Sequence, residues 1–290
     1  MVNGRSIVQM LLSYLVIPFY AGTIYHFRGK GTKGLIISTV CLGISVLTDL
    51  MIPFMSSAVV TGITGLVLLH VAICKGWFGE NKKKFLIRMW GVIGICLILM
   101  SGITFLGNGR FVTDYQVHRL EALITGEHWD YTRGAVADVA NAAKDPNSSK
   151  WHESQSSGKI EVTDPYNGAT EVEAVTLYNY ARNDYIWTYL FHYFGNVKGV
   201  FLVVVFVVFM ALLLRMAVKQ KNRLGYMISI GCVLFLILQS LFYIGVNAGL
   251  YPISGNYMPF LSHGNMTMMI TYFYMGILLS VYRNTNVVKN

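Results

Sequence analysis

Residues 181–214 read ARNDYIWTYLFHYFGNVKGVFLVVVFVVFMALLL, so the acidic Asp184 stands immediately before a long apolar run. That run exceeds the roughly 20 apolar residues that a helix needs to cross a bilayer. With 54% hydrophobic residues, 13% charged residues and a mean hydropathy of +0.50, the whole chain is more apolar than ordinary soluble proteins. The sequence therefore predicts an integral membrane protein in which a polar segment ends at Asp184.

Seven apolar runs are long enough to cross a bilayer, which predicts an all-α polytopic membrane protein. Their approximate bounds are 6–25, 35–53, 56–74, 85–106, 185–214, 225–250 and 260–282. The fifth run is longer than a crossing needs, so it is either tilted or partly outside the membrane. This divides the chain into transmembrane helices 1–4 over residues 1–107, a large loop over 108–184, and helices 5–7 over 185–290.

Charge predicts the orientation of these spans. The segment 108–184 carries 7 basic and 12 acidic side chains, whereas the remainder carries 16 basic and 2 acidic ones. The connections after the first, third, fifth and seventh spans are basic, so they and the C-terminus are expected in the cytoplasm, with the long loop outside. A nucleic-acid partner is disfavoured because the soluble part is acidic. No metal site or disulfide is indicated, since the four cysteines lie in apolar runs without CxxC spacing.

The outward connection 249–264, GLYPISGNYMPFLSHG, contains two prolines and several glycines between two spans. These residues prevent a continuous helix. Irregular backbone at membrane depth is tolerated only where it is buried in protein or lines a wet cavity. The spacing leaves two interpretations open: a simple hairpin between helices, or a re-entrant-like element that shapes an outward cavity.

This connection resembles the "GLxPxTGxxLPFxSYGG" signature of the SEDS family, the bacterial shape, elongation, division and sporulation proteins typified by RodA, FtsW and SpoVE. NDYIW at 183–187 is similar to the family's "TDFIF", and YQVHRLEALITG at 115–126 to its "YQxxxSxxAIxSGG". Gln239 stands where the preceding family helix usually has a glutamine. The chain departs from the family at His192 and Tyr193, which replace a Glu-Glu pair, and at Phe54, which takes the place of an aspartate.

Family members have ten spans, and the seven here correspond to the fourth through tenth. The charge pattern places Met1 outside, which requires either a reverse-anchor first span or an odd number of missing upstream spans. Three missing spans satisfy the second condition, so we expect an N-terminally shortened member of the family.

The resemblance implies a peptidoglycan glycosyltransferase that polymerises lipid II at the outer face of the bacterial cytoplasmic membrane. It places Asp184 on the family's catalytic aspartate, where a carboxylate can act as general base toward a sugar hydroxyl. The departing lipid diphosphate needs positive charge, which Arg110, Arg119 and Arg182 or a divalent cation can supply. Position alone also allows Asp184 to be a helix N-terminal acid and the arginines to be headgroup contacts.

Further substrate contacts are implied at Tyr115, Gln116, Gln239, Pro259, Ser262 and His263. The resemblance also implies a class B penicillin-binding protein, a single-span transpeptidase, as partner. Two alternatives keep the same fold: a non-catalytic scaffold for such a partner, and a lipid II flippase or transporter. Within the large loop, residues 159–175 predict two strands around a Pro-Tyr-Asn-Gly turn.

Overall fold

The computed structural model describes residues 4–50, 55–106, 137, 162–164, 168–170, 185–248, 250 and 257–284. The helices in these residues are α1 Gly4–His26, α2 Gly31–Leu50, α3 Met55–Cys74, α4 Lys82–Leu106, α5 Ile186–Phe194, α6 Asn196–Val218, α7 Arg223–Asn247 and α8 Asn265–Arg283. The strands are β1 Val162–Asp164 and β2 Gly168–Thr170. The predicted all-α architecture is confirmed, with one short hairpin added to the helices.

The chain divides into two compact units. The first unit comprises residues 1–112, 210–238 and 269–290, and the second comprises residues 113–209 and 239–268. Helices α6, α7 and α8 contribute residues to both.

The first unit is built on close helix packing. Helices α1, α2 and α3 pack against one another, and α4 packs against α2 and α3. Gly231 of α7 marks a close approach, because a Cβ at this position would lie 3.0 Å from both Ile17 Cγ2 of α1 and Leu68 Cδ1 of α3. On the same helix, Phe235 stacks on Tyr274 of α8 with ring centroids 5.1 Å apart. The core of this unit therefore contains side chains from four different helices.

Four stretches of the described chain are long and apolar enough to cross a membrane: Gly31–Asp49, Ser57–Cys74, Asn196–Val218 and Arg223–Asn247. Only 17% of the α6 stretch is buried, against 61% of the α7 stretch. An apolar helix that exposes most of its surface needs lipid rather than water around it. The total of seven spans and their orientation stay predictions.

The predicted fifth span, 185–214, is wrong as a single helix. It is divided at Gly195, whose φ of +84° and ψ of +161° lie far from helical values, in a region that glycine adopts at little cost. The first part, α5, has nine residues and is too short to cross a bilayer. The second part, α6, has 23 residues and is long enough. The break lies in the short stretch GNVKG at 195–199, and hydropathy averaged over a whole span does not resolve an interruption of this length between two apolar runs.

The predicted hairpin within 159–175 is confirmed. Strands β1 and β2 are antiparallel and pair Val162 with Thr170, Thr163 with Ala169, and Asp164 with Gly168. Apart from this hairpin and residue 137, the predicted loop 108–184 lies outside the described residues.

The close approach at Gly231 gives a stability prediction. Gly231→Leu is expected to lower the free energy of unfolding by about 1–3 kcal/mol, because the new side chain collides with Ile17 and Leu68. Thermal unfolding of the detergent-solubilised chain measures the change. The matched control is Gly276→Leu on α8, since a Cβ there meets no atom within 4 Å. Equal unfolding midpoints for the two variants would contradict this packing.

Candidate functional site

The predicted site residues fall into two groups. Gln239, Pro259, Ser262 and His263 belong to the second unit and are described. The other predicted site residues lie outside the described residues: Asp184, Arg110, Tyr115, Gln116, Arg119 and Arg182. The described part of the site therefore consists of the segment that follows Asp184, the last turns of α7, and the turn before α8.

The segment that follows Asp184 is held by side chains of α7. Tyr185 is fully buried. The Ile186 N–H donates to Tyr243 Oη at 2.9 Å, and the Thr188 N–H donates to Asn247 Oδ1 at 3.0 Å. The amide groups in the first turn of a helix have no partner within that helix. Tyr243 and Asn247 therefore act as caps for the start of α5, where Tyr185 provides no side-chain cap of its own.

The contact also satisfies the end of α7. The Thr188 hydroxyl lies 3.2 Å from the Asn247 carbonyl oxygen and 3.1 Å from Asn247 Oδ1, and it can donate to either. Asn247 Nδ2 donates to the Tyr243 carbonyl at 3.0 Å, which fixes the orientation of the amide side chain. Since Thr188 and Asn247 are both buried, water does not compete for these bonds.

An aromatic cluster surrounds this contact. Trp187, Tyr243 and Met258 form its buried centre. The Trp187 ring lies 6.3 Å from the Phe191 ring and 6.5 Å from the Phe206 ring. Within the described residues, Trp187 Nε1 is buried and has no hydrogen-bond partner. The cluster joins α5, α6, α7 and the turn before α8 within the second unit.

Gln239, Tyr243 and Asn247 lie four residues apart and so share one face of α7. Gln239 is 2% exposed, and its Oε1 atom is buried without a hydrogen-bond partner among the described residues. A buried amide oxygen without a partner costs folding free energy, so its retention suggests a role beyond packing. Sequence reasoning identified Gln239 and missed Tyr243 and Asn247. The signal it could have used is this spacing of polar groups in an apolar helix.

The turn before α8 is closed by its own hydrogen bonds. The Met258 N–H donates to Ser262 Oγ at 2.8 Å, and the Met258 carbonyl accepts the Leu261 N–H at 3.2 Å and the Ser262 N–H at 3.0 Å. Pro259 is buried, and Phe260 has a φ of +69°. A non-glycine residue in this region stores backbone strain, which is often found at functional sites. The T-shaped contact between Phe260 and Phe209, at 5.3 Å, helps to hold this geometry.

The two histidines singled out by the sequence differ in their surroundings. His263 is exposed at the end of the closed turn. His192 is also exposed, and its Nδ1–H donates to the Thr188 carbonyl at 2.9 Å, a bond within α5 itself. The predicted substrate contacts of Pro259, Ser262 and His263 stay predictions.

The first unit contains a buried acid that sequence reasoning passed over. Asp49 on α2 is 0% exposed, and the Ser57 hydroxyl donates to its Oδ2 at 3.5 Å. An acidic side chain within an apolar helix is costly to bury and is a functional candidate by default. Elsewhere in the described chain, no three His, Cys, Asp or Glu side chains are grouped closely enough to hold a metal ion.

Comparison with known proteins gives a family match over nearly the whole chain. Residues 6–287 match the FTSW_RODA_SPOVE model, described as "Cell cycle protein". A probable peptidoglycan glycosyltransferase FtsW of Bacillus subtilis (strain 168) is 26% identical over 76% of this chain and 50% of its own length. A protein of the same description from Francisella salina is 25% identical over 94% of this chain and 62% of its own length. The chain thus spans about half to three fifths of these relatives.

A solved structure, described as "Structural coordination of polymerization and crosslinking by a peptidoglycan synthase complex", has a similar fold. The match has a TM-score of 0.52 at 14% identity and covers 99% of this chain and 84% of that chain. At this level of identity the likeness is one of fold.

The capped start of α5 gives a second prediction. Asn247→Leu is expected to cost about 1–3 kcal/mol of local stability, because the buried Thr188 N–H loses its acceptor, whereas the Thr188 hydroxyl keeps the main-chain carbonyl of residue 247. Amide hydrogen exchange over residues 186–190 should accelerate accordingly. Tyr243→Phe, which removes the acceptor of the Ile186 N–H and leaves the Asn247 bonds in place, should have a smaller effect.

Tyr272→Phe is the control, since Tyr272 lies on α8 and is 60% exposed. Exchange rates at 186–190 that stay unchanged in both α7 variants would show that these caps do not hold α5.

Proposed function

The chain belongs to the FtsW, RodA and SpoVE family of cell cycle proteins, and from this premise we propose that it is a peptidoglycan glycosyltransferase. In this proposal it polymerises lipid II into glycan strands at the outer face of the cytoplasmic membrane, in cell elongation, division or sporulation. Its relatives of the same family that are named peptidoglycan glycosyltransferases support the reaction class.

The observation that carries the proposal is the fixed backbone directly after Asp184. Three features within residues 185–188 hold it: the buried Tyr185, the Ile186 amide bonded to Tyr243, and the Thr188 amide bonded to Asn247. General-base catalysis requires a carboxylate whose position is set to within a fraction of an ångström of the proton it accepts. The cross-helix caps supply the anchoring that such a carboxylate needs from its own main chain.

In the proposed reaction, the hydroxyl of one lipid-linked disaccharide attacks the anomeric carbon of another. A new C–O bond forms as the bond to the lipid diphosphate breaks, with inversion at the anomeric carbon. Asp184 accepts the hydroxyl proton, so no covalent enzyme intermediate is needed.

The diphosphate that leaves carries negative charge, and this proposal assigns its stabilisation to Arg110, Arg119 and Arg182. A divalent cation is the other source of positive charge that the chemistry allows. The described residues contain no group of three potential metal ligands, and almost all carboxylates of 108–184 lie outside those residues.

A transpeptidase partner belongs to the same proposal. The solved structure of similar fold concerns polymerization and crosslinking by a peptidoglycan synthase complex, which supports a crosslinking partner in general. The finer proposal is a class B penicillin-binding protein. The chain is a multi-pass membrane protein, and the charge pattern supports a cytoplasmic C-terminus.

The decisive experiment is glycan-chain formation from purified lipid II, with the candidate transpeptidase present. Asp184→Asn is expected to lower the rate by about 10²–10⁴-fold, because the amide cannot accept the proton. Asp164→Asn is the matched control, since Asp164 lies in the same polar segment but belongs to the β1–β2 hairpin. Equal rates for the two variants would contradict the role of Asp184. If the unmodified chain binds lipid II but makes no polymer, the chain is a non-catalytic scaffold or a transporter.

Gln239 offers a test in which stability and activity change in different directions. Gln239→Leu removes a buried amide oxygen that has no partner among the described residues, so the thermal unfolding midpoint should stay the same or rise. If Gln239 binds substrate, the same change should lower glycan synthesis by about two- to twelvefold, the loss expected when a neutral hydrogen bond of roughly 0.5–1.5 kcal/mol is removed. A lower midpoint with unchanged synthesis would make Gln239 a purely structural residue.

A further inference from the structure

A cleft of about 570 Å³ lies in the first unit, on the side predicted to face the cytoplasm. It is formed where α1 and α3 end and α7 begins. Its charged lining consists of Arg28, Lys75 and Arg223, and its remaining lining consists of Gly29, Gly76 and Trp77. Three cations therefore gather around one cleft.

Among the described residues that line the cleft, none is acidic. Outside 108–184 the sequence contains only two acids, Asp49 and Glu80, and neither lines the cleft. Lys75 Nζ lies 3.7 Å from the centroid of the Tyr226 ring, and Arg28 Cζ lies 3.7 Å from that of Tyr25. Ring faces attract the cations but accept few of their N–H donors. Arg28 Nη1 is buried and has no hydrogen-bond partner among the described residues.

The cleft is held open by its own backbone. The Gly29 N–H donates to the Trp77 carbonyl at 2.7 Å, which joins the connection after α1 to the connection after α3. The Trp77 ring meets the Tyr25 ring edge to face at 5.9 Å. Gly29 and Gly76 have φ values of +79° and +74°, which glycine adopts at little cost. Because the walls are fixed before any ligand arrives, little free energy is lost in ordering them.

An apolar groove lies along the last turns of α1, and its last lining residue, Phe27, directly precedes Arg28 of the cleft. It has a volume of about 510 Å³ and is lined by Pro18, Phe19, Gly22, Thr23, His26 and Phe27. Phe19 is 78% exposed, and Gly22 leaves a notch because it has no side chain. From Pro18 to His26 the helix axis covers about 12 Å. One leaflet of bilayer hydrocarbon is about 15 Å thick, so the groove matches the length available to an acyl chain.

We propose that the cleft binds the phosphate headgroup of an anionic phospholipid, with one acyl chain of that lipid in the groove on α1. Basic pockets between transmembrane helices on the cytoplasmic side are suited to such headgroups. The groove distinguishes a lipid from a soluble phosphate, because a soluble ion has no apolar part to cover it. The lining of the groove ends at Phe27, the residue before Arg28. The site is independent of the proposed glycosyltransferase reaction.

Native mass spectrometry of the detergent-solubilised full chain, titrated with cardiolipin or phosphatidylglycerol, tests the charged part. Arg28→Gln with Arg223→Gln should weaken binding by about 25-fold, since each cation near a membrane surface contributes about fivefold. Lys82→Gln with Lys83→Gln is the matched control, because these exposed lysines begin α4 on the same predicted side and do not line the cleft. Binding of phosphatidylcholine should stay unchanged in both double variants. An equal loss of anionic lipid in both would overturn the proposal, because it would show general surface charge.

The groove provides a second test that does not depend on the arginine variants folding. Gly22→Leu should fold normally, since a Cβ there meets no atom within 4 Å, yet it fills the groove. It should weaken cardiolipin binding several-fold while leaving the binding of inorganic pyrophosphate unchanged. If Gly22→Leu binds cardiolipin as the unmodified chain does, or if pyrophosphate displaces the lipid completely at equal concentration, the cleft is a site for soluble phosphates and the lipid proposal is wrong.

Discussion

The first amides of a helix need hydrogen-bond partners from outside that helix, and a protein surrounded by lipid has little water to supply them. At the start of α5, the side chains of Tyr243 and Asn247 accept hydrogen bonds from these amides. At the end of α7, the Asn247 carbonyl, which also has no partner within its own helix, can accept a hydrogen bond from the Thr188 hydroxyl. One buried contact thus serves a helix start and a helix end together. The aromatic cluster around Trp187 and the closed turn at 258–262 are packed against it. The segment after Asp184 has a defined path because its amides at Ile186 and Thr188 are hydrogen-bonded to side chains of α7.

Composition was sufficient to predict most of the helices, because a stretch that is apolar for about 20 residues has few other ways to satisfy its backbone in a membrane. Hydropathy averaged over a span does not resolve the helix break at Gly195, since the short stretch GNVKG at 195–199 lies between two long apolar runs. Gly195 ends α5 through a positive φ that glycine adopts at little cost, and hydropathy does not record this property of the backbone. The β1–β2 hairpin was predictable for the opposite reason, because its turn residues carry a local signal.

The candidate site was only partly predictable. Gln239, Pro259 and Ser262 came from a sequence signature, and the structure gives one of them a definite contact, the hydrogen bond that closes the turn at Ser262. Tyr243 and Asn247 were missed because their partners are backbone amides. Every residue except proline has such an amide, so a sequence motif does not show where the partner lies. Asp49 could have been found without a structure, since a lone acid in an apolar helix is conspicuous.

The lysines and arginines at the ends of the spans have two physical consequences. They predict the orientation of the chain, because basic connections stay in the cytoplasm. They are also separated in sequence from most of the acidic residues, since all but two of the acids lie in 108–184. Uncompensated charge spread over a surface attracts anions only weakly. At the basic cleft the Gly29 to Trp77 hydrogen bond brings two such connections together, and three cations then act on one anion. The same charges that predict the orientation of the chain are thus brought together by backbone packing. The result is a site that favours anionic lipids over neutral ones.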